Sequence, residues 1–130
     1  MALAELYRAV TEAIFEAEAS EAEGRARDAA LAYQRVSRIE EQIAAILPAS
    51  EPEGALARQG IVTAALSAGD VKRAVERARV YGAEGGLPAA FREQIDALRQ
   101  QAEARLRELQ GADAPRVLPI AFRLVLGDAG

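Results

Sequence analysis

The chain has 130 residues, and its 16 Lys and Arg against 20 Asp and Glu give a net charge of −4. It has no cysteine and no histidine. That excludes disulfides, thiolate metal sites, cysteine nucleophiles and any histidine-based triad, and leaves carboxylates alone for acid–base work. The acidic balance argues against a dedicated nucleic-acid binder, and no apolar stretch approaches the ~18 residues of a membrane span.

The first helix is expected over residues 3–21. Leu3, Leu6, Tyr7, Val10, Ile14 and Ala17 recur at spacings of three and four, which makes one apolar stripe. Gly24 interrupts it. A second helix follows over 25–47, with its stripe at Ala29, Ala32, Val36, Ile39, Ile43 and Ile46. Pro48 stops it, because the residue before a proline avoids helical geometry.

Ser50 and Glu53 have capping-box spacing, and Pro52 suits a first turn. They open a third helix over 51–68, with Leu56, Ile61, Val62, Ala65 and Leu66 as its apolar positions. Gly60 inside it costs about 1 kcal/mol against alanine, so a close neighbouring backbone is expected there. Gly69 ends this helix and Asp70 caps the fourth, which runs to Tyr81 with Val71, Ala74, Val75 and Ala78 inward. Gly82, Gly85 and Gly86 make the next turn. The fifth helix covers 89–110 on a stripe of Phe91, Ile95, Leu98, Ala102, Leu106 and Leu109, with Gly111 as its cap.

The fold class is therefore all-α, with about five antiparallel helices in one domain over residues 1–110. A tail of different character follows over 111–130. Its run Val117–Leu126 is almost wholly apolar, broken by Pro119 and Arg123. It reads equally as a strand or as one to two helical turns. Left exposed it would aggregate, so it is expected to pack on its own helices or on another subunit. Val117, Leu118, Ile120, Phe122 and Leu124 are the candidate oligomer contacts.

About a quarter of the residues are alanine, and only six are aromatic. Alanine favours helix and lets helix axes approach closely, so the core should be thin. Most of the scattered aromatics belong in it. Fifteen arginines against the single Lys72, with the alanine load, fit the codon usage of a GC-rich bacterial genome. The first twenty residues carry four glutamates and no basic start before an apolar run, unlike a signal peptide. The expected location is the cytoplasm.

One phrase occurs twice. Glu23-Gly24-Arg25 leads to Ala29 and Tyr33, and Ala68-Gly69-Asp70 leads to Ala74 and Ala78. Together with small residues at Ala17 and Val62, the two copies resemble the tetratricopeptide repeat over residues 11–86. The resemblance implies stacked helical hairpins that bind a partner helix or peptide. The chain departs from the pattern in three ways: its glycines stand 45 positions apart against about 34, the second copy has Ala78 where an aromatic is usual, and the helix-ending proline is missing from its place.

Candidate chemistry is sparse. Helix one carries Glu5, Glu12, Glu16, Glu18, Glu21 and Glu23 against Arg8. Glu12 and Glu16 have the spacing to share a cation, but with no histidine or fixed loop the stretch reads as a solvated face suited to the helix dipole. Helix four carries Lys72, Arg73, Arg77 and Arg79. Arg73 and Arg77 share a face and would clamp an acidic peptide, or else pair with helix one or helix five. The stretch Leu66–Val75 also has the form of a helix-turn-helix, which would aim Lys72, Arg73 and Arg77 at a DNA groove. No catalytic residue, metal ligand or cofactor-binding loop stands out.

The expectation is a non-enzymatic interaction or assembly module that binds a protein partner, with Gln59, Thr63, Arg73 and Arg77 as candidate contacts. A homo-oligomer joined through the tail and a DNA-binding regulator are the alternatives.

Overall fold

The computed structural model describes residues 2–113. The tail contacts expected at Val117, Leu118, Ile120, Phe122 and Leu124 lie outside the described residues. Five helices run in order: α1 (Leu3–Ala22), α2 (Ala26–Ile46), α3 (Pro52–Ser67), α4 (Val71–Gly82) and α5 (Ala89–Asp113). No strand occurs among the described residues. The all-α expectation holds, and each helix begins and ends within a few residues of its expected place.

The doubled glycine phrase is one corner built twice. Gly24 and Gly69 both take positive φ, at 74° and 76°. At the first corner the Gly24 amide donates to Glu21 O and the Arg25 amide to Ser20 O. At the second, the Gly69 amide donates to Leu66 O and the Asp70 amide to Ala65 O. This is the Schellman arrangement, in which a left-handed residue lets the chain satisfy the last free carbonyls of a helix. Each corner reverses the chain at once, giving the hairpins α1–α2 and α3–α4. Asp70 then caps α4, its carboxylate accepting from the Arg73 amide.

The third corner differs. The α3 N-cap is Glu51 with no side-chain cap bond, so the expected Ser50–Glu53 capping box does not form. Pro52 takes the first helical position, and Gly54 allows the backbone to close tightly. A Cβ on Gly54 would lie 2.0 Å from the Pro48 carbonyl oxygen. That is the close approach expected of Gly60, displaced by six residues. Gly111 does not cap α5, which continues through it to Asp113.

Arg58 fastens this corner. The side chain is buried, and its guanidinium forks onto Glu84 at 2.6 and 3.1 Å. It also donates to the carbonyls of Ala44, Leu47 and Gly54, and it stacks over the Tyr81 ring at 5.7 Å. The Ala44 and Leu47 carbonyls belong to the C-terminal turn of α2, where no intrahelical donor is left. Arg92 does the same work at the α4–α5 turn, donating to the Gly82, Glu84 and Leu87 carbonyls.

The core has two halves, and α3 serves both. Leu6, Val10 and Ala13 of α1 and Ala57, Ile61 and Ala64 of α3 share one buried cluster with Val36 and Ile43 of α2. Ala55, Val62 and Ala65, on the other side of α3, pack with Val71, Ala74 and Val75 of α4 and with Ile95 and Ala102 of α5. A helix buried on two sides is apolar nearly all round, which is why α3 shows no single stripe. Among the described aromatics, Tyr81 and Phe91 pack against the core while Phe15 is 69% exposed and Tyr7 39%.

Candidate functional site

Alanines set the helix spacing. Ala13, Ala17, Ala29 and Ala32, all buried, let α1 and α2 pack closely. The backbones of α1 and α3, by contrast, nowhere come within 8 Å, Cα to Cα. Between them lies an open groove with α2 as its floor.

The groove has two parts. The wider, about 450 Å³, is lined by Tyr7 and Val10 of α1, Glu40 and Ile43 of α2, and Glu53, Leu56 and Ala57 of α3. The narrower, about 190 Å³, continues past Ile14, Tyr33 and Val36 to Gly60, Thr63, Ala64 and Ser67. Glu40 lines both, at the point where they meet. Leu56, expected in the core, is 58% exposed on the rim.

Glu40 is the unusual group. Its carboxylate lies over Gly60, so close that a Cβ there would sit 2.6 Å from Oε2. Gly60 thus makes room for a side chain rather than for a neighbouring backbone. Burial alone pushes the Glu40 carboxyl up to about 7. An adjacent cation would have lowered it, and among the described residues no lysine or arginine lines either part of the groove. Its other ionisable groups are Tyr7, Tyr33 and Glu53. The Tyr33 hydroxyl donates to Glu21 at the α1 end.

Glu40 contrasts with the charges elsewhere. Between α4 and α5 a second depression of about 480 Å³ carries Arg79, Arg92, Asp96 and Arg99. There Arg79 and Arg99 bind Glu103, Arg99 also binds Asp96, and Arg92 donates to backbone carbonyls. Glu16, half of the acidic pair on α1, is held by Arg35 of α2 at 2.8 Å, and that guanidinium lowers its pKa.

The four expected contact residues do not form one site. Thr63 lines the narrow part of the groove, its hydroxyl donating to the Gln59 carbonyl. Gln59, one turn earlier, is half-buried and does not line the groove. Arg73 and Arg77 turn to α2 instead. Arg73 donates to the Ser37 hydroxyl at 3.0 Å and to Glu41 at 2.9 Å, and Arg77 reaches the other Glu41 oxygen at 3.1 Å. Their cross-helix partner is α2, not helix one or helix five. The Ser37 hydroxyl, buried, also donates to the Ile61 carbonyl and so ties α2, α3 and α4 together.

Sequence reading passed over Glu40, although a signal was present. It stands four residues after Val36 and three before Ile43, within the apolar stripe of α2. A carboxylate there points where a core residue should. No protein-family model, no curated protein and no solved structure matches the chain.

Proposed function

We propose that the chain is a non-enzymatic protein-interaction module whose α1–α3 groove takes an amphipathic helix or extended peptide. The occupant is apolar and carries one lysine or arginine opposite Glu40. The observation that supports this reading is a carboxylate half-buried in an apolar groove, with no cation beside it among the described residues. A buried charge is tolerated when it is paired, and a guanidinium supplies both the charge and the bidentate hydrogen bonds. The walls would receive apolar side chains in the manner of helix-in-groove recognition.

The matched Schellman corners fit a tetratricopeptide-like use of the hairpins, with α1 and α3 flanking the ligand. The DNA-binding alternative has less support, since Arg73 and Arg77 are engaged with Glu41. The test is titration with a designed leucine-based amphipathic peptide bearing one central arginine. It should bind, and replacing that arginine by glutamine should weaken binding roughly tenfold to a hundredfold, the worth of one charge-assisted hydrogen bond. Leu56→Asp, on the exposed rim, should abolish binding while leaving the helix content intact. Equal binding of both peptides would refute the role given to Glu40.

A further inference from the structure

Resting on that reading of the groove, we infer that its resident ligand is the chain's own C-terminal segment, Ile120–Leu126, with Arg123 set against Glu40. Composition is the first argument. The segment presents Ile120, Phe122, Leu124 and Leu126 with one cation among them. That is the chemistry the groove lacks: apolar side chains for Tyr7, Val10, Ile14 and Leu56, and a positive charge for Glu40. Arg123 is the lone charge between Val117 and Leu126.

Reach is the second argument. Leu109 and Gln110 of α5 share a surface depression with Gly69–Lys72. Gly69 lies two residues past the end of α3, and Ser67, the last residue of α3, lines the near end of the groove. The segment therefore leaves the described structure close to the groove mouth. Residues 114–119 extended span ~20 Å, enough to cross the ~10 Å width of a helix such as α3. From Ser67 to Gly60, where the Glu40 carboxylate rests, is ~10 Å along the helix. Ile120 to Arg123 extended covers about the same distance. An extended segment alternates its side chains, so one entering at Ser67 brings Arg123, with Ala121 and Val125, to the α3 wall where the Glu40 carboxylate rests over Gly60, and turns Ile120, Phe122 and Leu124 toward Tyr7, Val10 and Ile14 of α1.

This arrangement makes the module self-occluding. An outside partner must displace the tail, and the tail's effective concentration, in the millimolar range for a short tether, sets how well the partner must bind. The apolar run is also kept from water.

The absence of native cysteine gives a clean test. In the full-length chain, Leu56→Cys with Val125→Cys is oxidised and compared with Leu31→Cys plus Val125→Cys, which places the first cysteine on an exposed face of α2 outside the groove. The expected result is an intramolecular disulfide in the groove pair, formed about tenfold or more faster than in the control, as proximity requires. Equal rates overturn the inference. A covalent dimer also overturns it, since the groove then holds the tail of a second copy. A second measurement separates this inference from the groove reading. The designed leucine–arginine peptide is titrated into the full-length wild type and into full-length Phe122→Asp/Leu124→Asp. Binding at least about tenfold tighter to the variant supports a tail that competes. Equal binding to both overturns the tail's occupancy while the groove reading stands. No binding to either overturns both.

Discussion

Replacing Arg58 by alanine tests how the two halves of the core are joined. The guanidinium holds Glu84 through two bonds and three carbonyls, those of Ala44, Leu47 and Gly54. Breaking a buried ion pair from one side costs about 3–5 kcal/mol because the remaining charge loses its partner. Glu84 is 35% exposed in its side chain and would recover part of that from water. The carbonyls add about 1 kcal/mol each where water does not reach them, and the lost stacking on Tyr81 adds about 0.5–1 kcal/mol. With the ion pair discounted to about 2 kcal/mol, about 2 kcal/mol for the buried carbonyls and the stacking, a net loss of about 4–5 kcal/mol follows, or roughly 15 °C in Tm for a domain of this size. Urea and thermal unfolding followed by far-ultraviolet circular dichroism would read it. Arg58→Lys should lose most of the same stability, because an ammonium keeps the charge but not the planar fork. A loss under about 1 kcal/mol for Arg58→Ala would show that the corner is held by packing alone, and would refute the reasoning.

Gly54→Ala should destabilise by about 3 kcal/mol or more, since the added methyl meets the rigid Pro48 carbonyl, and the same unfolding curves would show it. Gly60→Ala should behave oppositely: its methyl meets only the mobile end of Glu40, so a gain of up to about 1 kcal/mol in helix propensity remains, while peptide binding weakens as the carboxylate is pushed aside. Ser20 has a buried hydroxyl with no partner, so Ser20→Ala should raise stability by about 1 kcal/mol in urea titrations. Glu40 gives a pH signature. Its folded pKa is raised from 4.5 to about 7, so the folded state holds the extra proton between those values and stability falls as pH rises through that window. In full-length Phe122→Asp/Leu124→Asp, where the tail and its Arg123 leave the groove, Glu40→Gln should match its parent near pH 4 and exceed it by about 1–2 kcal/mol near pH 8, after discounting for partial exposure. Identical curves at both pH values would count against a desolvated carboxylate.

The helices were legible because burial on one side imposes a period that survives in the letters: Leu6, Val10 and Ala17 mark α1 in the sequence and are buried in the structure. The corners at Gly24 and Gly69 were legible because a left-handed residue at a helix end is nearly always glycine. What escaped reading depends on where helices end up relative to one another. Leu56 and Tyr7 look like core residues on their own helices, and they reach the surface because α1 and α3 stand apart over α2. Arg58 looks like one more surface arginine, since a buried guanidinium needs acceptors from several distant segments. Here they come from α2, from the start of α3 and from Glu84. Arg73 and Arg77 had the right spacing for a clamp, and Glu41, more than thirty residues away in sequence, already occupies it.

The central claim is that the α1–α3 groove recognises an apolar segment through a cation placed on Glu40. Charge reversal tests it most directly, with the leucine–arginine peptide and its glutamate counterpart titrated calorimetrically into full-length Phe122→Asp/Leu124→Asp, with and without Glu40→Arg. The arginine peptide should bind at least about tenfold more weakly to the Glu40→Arg chain, which should in turn prefer the glutamate peptide by about tenfold or more. An arginine peptide whose affinity is unchanged by Glu40→Arg would contradict it.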